Sequence, residues 1–512
     1  MVSAAKSTPW GFFALLGVPE RLRVEYPDAE HDFPRTERLA SYRWLDELFD
    51  HSPPLDSNSS PEAGEVPALL RTGLAEVEVT PPHAYRLSGY FHERLSTGTH
   101  DPLHAKAVYL EAGGVEVVIV VCDLIGIAPA LAAAVRDVAA KRTGVPSEHI
   151  VVGATHSHTG PLYFGALRDH FHAAALARDG RDPYETVDYV RFASGRIVDC
   201  IERARGLAGA ARIRVGEGDE AGLTFHRRFY MSDGSVRFNP GKLNPDIVRP
   251  AGPTDPLVQV LAFTDDDGRP LGALTRFALH LDTVGGTLFS ADFPHWIEKD
   301  LRATFGSAFV SVFAAGTCGN LNHVDVSHER PQKGPAEAER IGQRLAARIR
   351  GLIAAAAESP VSLAVRSQTV KAPLQTYTPG ELSRALDTME RVGSREIAFL
   401  DRVKAYRIAS LYRRGGAEIS LEVQAIRLTS EAVLVALPGE VFVELGLAIR
   451  EASPFKTTVV VELCNDAPGY IPTRQGFREG GYEAVNSRVA SGGGEVLVET
   501  ALALLRELKA VP

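Results

Sequence analysis

Between residues 115 and 152 the chain passes from an almost purely apolar, β-branched run (115–122) through an alanine-rich stretch (129–142) into a second apolar run (150–152). Such runs are apolar on both faces and have to be covered on both. Pro129 stands where a helix tolerates it, at the first helical position, because its missing N–H has no partner there anyway. A strand, helix, strand unit of this kind demands a buried sheet with helices packed on it. Apolar runs recur at 271–279, 308–313, 432–437 and 457–463, each followed by Gly or Pro turn chemistry. The expected fold class is α/β, a mixed, mostly parallel sheet flanked by helices, in one large domain over residues 69–512. Residues 379–414 read as a helical insertion, opened by Thr378-Pro379 and closed by Gly415-Gly416.

Upstream, SPPLDSNSSPEAGEVP (52–67) has almost nothing apolar to bury, and residues 52–68 read as a linker. Residues 1–51 carry an alternating run (Leu22, Val24, Tyr26), a loop with His31, and Leu39, Tyr42, Leu45 and Leu48 at helical spacing. This segment resembles the last strand, histidine loop and final helix of an α/β-hydrolase. No G-x-S-x-G elbow occurs in the chain, so His31 has no nucleophile to activate, and the segment reads as a truncated remnant.

Composition excludes several functions. Lys and Arg number 55 against 64 Asp and Glu, a net charge of -9, so no cationic face recommends nucleic acid or an anionic membrane. Apolar runs fall far short of the ~20 residues of a membrane helix, and no transmembrane segment is expected. The four cysteines are widely spaced with no C-x-x-C pair, which argues against a disulfide framework or a thiolate zinc cage. The apolar stretch 10–18 runs into Pro-Glu-Arg without a small-residue cleavage site, so a cytoplasmic location is expected.

The chemistry concentrates in VVGATHSHTGP (151–161), where an apolar strand runs into His156 and His158. At i, i+2 the two project to one face if extended geometry persists. Such a pair suits zinc, or one ligand plus one proton-transfer group, while solvated loop histidines remain the bland alternative.

Here the sequence resembles the neutral, non-lysosomal ceramidases, whose T-H-T-H-S-G-P motif matches residues 155–161. Further matches follow in order: RTGLAEVEVTPP (71–82), Gly89-Tyr90, GTHDPLHAKA (98–107) and VVIVVCDL (117–124). RFALH (276–280) resembles the family's F-A-V-H, LPGE (437–440) its P-G-E, and PGYIPT (468–473) its Y-V-T-T segment. The resemblance implies that His156, His280, Glu440 and Tyr470 bind Zn2+, with His158 beside the metal. It also matches Arg227, in TFHRRF (224–229), to a family arginine near the metal, with His226 replacing an asparagine. A guanidinium there is suited to polarising a carbonyl or gripping a carboxylate bidentately, or to a structural salt bridge.

The chain departs from the family at AAGTCGNLNH (314–323), where Q-S-N-A-G-D is usual. Gly316 occupies the place of the active-site serine, Thr317 and Cys318 flank it, and Asn320 replaces the aspartate. The glycine-rich turn offers backbone N–H groups, Gly319 among them, for an oxyanion. The expected domain also lacks the family's C-terminal β-sandwich and ends on one amphipathic helix, 495–509. The function expected is a zinc-dependent amidase, cleaving an N-acyl amide of a small or lipid-like substrate by metal-activated water, with ceramide disfavoured by the missing serine. A zinc-dependent esterase or lactonase and a non-catalytic ligand-binding relative are the alternatives.

Overall fold

Leu70–Glu78 (β1), His104–Ala112 (β2), Val115–Cys122 (β3), Ile150–Ala154 (β4), Gly209–Asp219 (β5), Leu257–Thr264 (β6), Pro270–Phe277 (β7) and Val310–Ala315 (β8) form the backbone of a large sheet. Its order is β8-β7-β6-β5-β1-β2-β3-β4, with the short Ala357–Glu358 strand also paired to β5. Val361–Pro373 (β9), Glu418–Thr429 (β10), Ala432–Ala436 (β11) and Thr457–Val461 (β12) form a second sheet in that order. This computed structural model describes residues 69–82, 84–392 and 396–511. The linker and hydrolase-like segment read in the sequence, His31 included, lie outside them.

Both sheets are mixed. The parallel pairs are β3 with β4, β7 with β8, and β11 with β12, while the other pairs of these strands are antiparallel. Short connections set three of the antiparallel pairs, β2 with β3, β6 with β7 and β10 with β11. Gly113-Gly114, both at positive φ, join β2 to β3, and a connection of a few residues leaves no room for the crossover that a parallel pair requires.

The two sheets pack face to face. Ile119, Phe263 and Val312 of the first meet Ile426, Leu434 and Val459 of the second in one buried cluster. Outside, Pro129–Thr143 (α1) and Tyr189–Gly206 (α2) cover the β1 to β4 half of the large sheet. Phe293–Phe305 (α3) and Pro335–Ala355 (α4) cover the β6 to β8 half. Val443–Glu451 and Gly493–Ala510 cover the second sheet. Helix, sheet, sheet, helix is thus the layer order, and residues 67–512 form a unit of their own.

The insertion is two helices, not one. Pro379–Glu390 (α5) starts on a complete capping box between Thr378 and Glu381, and Phe399–Arg414 (α6) packs against it. The break falls where the sequence carries Val392-Gly393. No helix among the described residues is long and apolar enough to cross a membrane.

Candidate metal centre

Each parallel pair ends at the same place. Beyond the carboxyl ends of β4, β7 and β11 come His156, His280 and Glu440, and Tyr470 follows β12, so distant segments meet in one crevice. The second sheet is tied to the first there by bridges between Gly153 and Cys464 and between Gly316 and Val461. Glu440 and Tyr470 are direct register partners in a short parallel pair, Glu440-Val441 with Tyr470-Ile471.

Extended geometry does not persist through the H-x-H. His156 is left-handed, φ 80°, so the chain turns sharply out of β4. The two rings meet all the same, with His158 Nε2 3.4 Å from His156 Nε2. The turn aims His156 at His280, and their Nε2 atoms are 2.9 Å apart.

That contact decides the chemistry. His156 Nδ1 lies 2.7 Å from the Ile125 carbonyl and His280 Nδ1 3.2 Å from the Cys318 carbonyl, so each ring places its proton on Nδ1. Both Nε2 atoms then present lone pairs to one another. Glu440 Oε2 is 3.4 Å from His156 Nε2 and 3.7 Å from His280 Nε2, buried and without a hydrogen-bond donor among the described residues. Lone pairs and a carboxylate oxygen converge with no proton between them, the Arg227 guanidinium reaching only His280 Nε2, at 3.3 Å, an arrangement suited to a cation. Donors around a tetrahedral zinc are about 3.3 Å apart, which these separations bracket.

The electrostatics agree. Burial, with the charges of His156, Arg227 and His158 behind it, holds the His280 imidazole well below its ordinary range. Burial likewise lowers His158 to about 3, against the pull of Asp282. Both are neutral, as metal ligands and proton acceptors must be. Burial alone would raise the Glu440 carboxyl, but His156, Tyr470 and Arg227 outweigh it and hold it below the usual range. Burial pushes the Tyr470 phenol up, opposed by the adjacent Arg227. His156, His158 and His280 form one of two groups among the described residues that bring three metal-binding side chains together. In the other, His172, Asp182 and Glu185, guanidinium groups already serve as cations: Arg86 reaches Asp182 at 2.6 Å and Arg168 reaches Glu185 at 3.0 Å.

Arg227 lies in the cluster but is not free to grip a carboxylate bidentately. Its Nε donates to Glu483 at 2.8 Å, its Nη2 to the Gly319 carbonyl at 2.6 Å, and Nη1 faces His280 Nε2 at 3.3 Å. Its guanidinium also stacks over Phe238, Tyr470 and Tyr482. Gly319 departs from the expected oxyanion role, because its N–H donates to the Val441 carbonyl at 2.9 Å. A Cβ there would come 2.5 Å from the Glu440 carbonyl oxygen, so glycine lets the 316–320 turn pack against the Glu440 backbone.

Nor can Gly316 be replaced by the serine of the resembled motif. A Cβ at 316 would overlap the guanidinium of Arg276, which is fully buried and paired to Asp255 at 2.6 Å. Its neighbours do not substitute: the Thr317 hydroxyl packs on Gly446, and the Cys318 thiol donates to Glu462 at 3.0 Å. Sequence reasoning missed Tyr482, whose ring is 5.3 Å from that of Tyr470, and Glu483, the carboxylate that holds Arg227. Neither lies in a periodic or motif context. A cavity of about 430 Å³ opens over the histidines, walled by Tyr90, Phe91, Leu162, Phe164, Tyr406 and Tyr482.

No protein-family model matches the chain. Neutral ceramidase from Pseudomonas aeruginosa is 29% identical over 282 residues, covering 52% of this chain and 39% of that protein, so the match spans well under half of the relative's length. The crystal structure of neutral ceramidase from the same organism superposes with a TM-score of 0.64 at 22% identity, covering 87% of this chain and 76% of that one. A ceramidase structure in complex with C2 superposes equally, TM-score 0.64 at 21% identity. The chain is thus a homologue of neutral ceramidase and shares its fold, as its ordered motifs imply.

Proposed function

We propose that this chain is a zinc-dependent hydrolase of acyl amides, with His156, His280, Glu440 and Tyr470 as the residues that hold the metal. The observation that carries the reading is the pair of facing imidazole lone pairs with the undonated Glu440 oxygen beside them. Zinc bound there supplies a Lewis acid for the scissile carbonyl and for the attacking water. The chain's own residues do the rest. The Ile125 and Cys318 carbonyls lock the two imidazoles in the tautomer that points Nε2 inward. His158, neutral and held beside His156, accepts the proton that water loses and returns it to the leaving nitrogen. Arg227 keeps a fixed positive charge next to Tyr470 and His280, which favours the negative charge that develops on the carbonyl oxygen. None of these roles needs the serine for which Gly316 has no room.

The test is metal analysis of purified protein together with a panel of N-acyl amides, esters and lactones. Zinc near one equivalent and amide turnover are expected, with His280→Ala losing the metal and at least about a hundredfold of turnover. Less than about a tenth of an equivalent after careful handling would remove the reading. Turnover of esters or lactones with no amide activity would move the same site to the other carbonyl chemistry.

A further inference from the structure

The cavity over the histidines has a charged end that the metal chemistry leaves unused. Tyr406, Ser410, Arg413 and Arg414 line it from α6, spaced so that one face of the helix looks into the cavity. Arg488 faces them. Its guanidinium stacks on Tyr406 at 5.1 Å, donates from Nη2 to Ser410 Oγ at 3.3 Å, and from Nη1 to the Pro468 carbonyl at 3.1 Å. A Cβ on Gly469 would overlap that Nη1, so this arginine is seated on the very turn that delivers Tyr470 to the metal centre.

Its partners set it apart from the arginines that hold the fold together. Arg86 and Arg276 each meet a carboxylate at 2.6 Å. Arg488 is fixed by a ring, a hydroxyl and a carbonyl, all neutral, and forms no carboxylate ion pair among the described residues. Those bonds occupy two of its five N–H groups and orient the rest. Arg413 is matched by Asp169 at 2.9 Å, whereas Arg414 is exposed and its side chain makes no ion pair or hydrogen bond among the described residues. Asp169 apart, the carboxyl group at this end is Asp466, which burial raises to about 6 against the pull of Arg414 and Arg488. Two guanidinium groups, those of Arg414 and Arg488, thus act on the one carboxylate of Asp466, and Leu162, Phe164 and Leu167 add an apolar stretch to a wall that also carries Ser88, Asp169 and Asn486.

We propose that the substrate is an N-acyl amino acid, its carboxylate bound by Arg488 with Arg414 and its acyl chain lying on the apolar wall. The assignment rests on the hydrolase reading above and adds the substrate class to it. Both signs of charge at one end fit the product of that cleavage. Water adds its oxygen to the carbonyl carbon as the C–N bond breaks, and both its protons end on the nitrogen at neutral pH. The acid leaves as a carboxylate and the amine as a zwitterionic amino acid, whose carboxylate faces Arg488 and whose ammonium faces Asp466.

Matched probes test this: N-dodecanoylglycine against the neutral N-dodecanoylethanolamine, on the zinc-loaded full chain. The ratio of kcat/KM for the anionic over the neutral probe is expected to exceed about tenfold, to collapse at least about tenfold in Arg488→Gln, and to recover in part in Arg488→Lys. Arg414→Gln, at an exposed position, covers a failure of Arg488→Gln to fold and is expected to lower the ratio about threefold. Calorimetry on chelator-treated protein supplies a readout without turnover: N-dodecanoylglycine should bind, and bind about tenfold more weakly in Arg488→Gln. Equal or better use of the neutral probe, or a ratio indifferent to both arginines, overturns the proposal. Binding that depends on Arg488 in a protein that hydrolyses neither probe would remove the hydrolase reading and leave the anion site standing.

Discussion

His156 shows how much a single backbone angle contributes. A left-handed φ is uncommon for any residue other than glycine and has to be stabilised by its surroundings, here the ring's bond to Ile125 and the backbone bond to Leu124. The neighbouring histidines make a pH prediction. His158 and His280 are held neutral in the fold, His158 down to about 3, whereas in the unfolded chain both protonate near ~6.5. The unfolded state therefore takes up more protons below that value, so stability of the metal-free protein is present above about 6.5 and is lost as pH falls. Melting of chelator-treated protein between neutral and acid pH should follow that slope, and His158→Gln, with one such group fewer, should make it shallower. Arg227 tests a second point. Its carboxylate partner Glu483 is completely buried and would keep only Arg228, 3.4 Å away, so Arg227→Gln should cost less in denaturant unfolding than the ~3–5 kcal/mol of an uncompensated buried charge, through loss of the pair and not through the metal alone.

Among the elements, the two-residue parallel pair of Glu440-Val441 with Tyr470-Ile471 carries the centre. It places a carboxylate and a phenol side by side, and the turn at Gly319 packs on its back through the Gly319 to Val441 hydrogen bond. Gly319→Ala is expected to push Glu440 away from the histidines and weaken metal binding at least about tenfold, measured by competition with a chelator, while the fold persists. The split insertion follows a similar logic of position. A single long helix would have carried its polar surface away from the sheet. Two packed helices return α6 to the site, where Tyr406 meets Phe91 at 5.3 Å and Phe399 meets Tyr482 at 5.4 Å.

For the whole molecule, residues 67–512 hold every side chain assigned to the centre. A chain begun at Pro67 is expected to keep the metal content and melting behaviour of the full chain, and a loss of either would assign residues 1–66 a share in stability or binding. The strand runs and the helical character of 379–414 were legible because each depends on local pattern, an apolar run or a Gly or Pro turn, whereas His156, His280, Glu440 and Tyr470 were named through the resemblance of short ordered motifs to the neutral ceramidases. What was not legible depends on pairs far apart in the chain. Arg276 fills the space beside Gly316, Cys318 turns its thiol to Glu462, and Arg227 spends its donors on Glu483 and Gly319. The sequence by itself determined which residue types stand at strand ends and that they suit a metal. Only the tertiary structure decided which nitrogen faces which, which carboxylate oxygen is left without a donor among the described residues, and which arginine is fixed by neutral partners, because those outcomes are set by long-range packing and burial and by no local pattern.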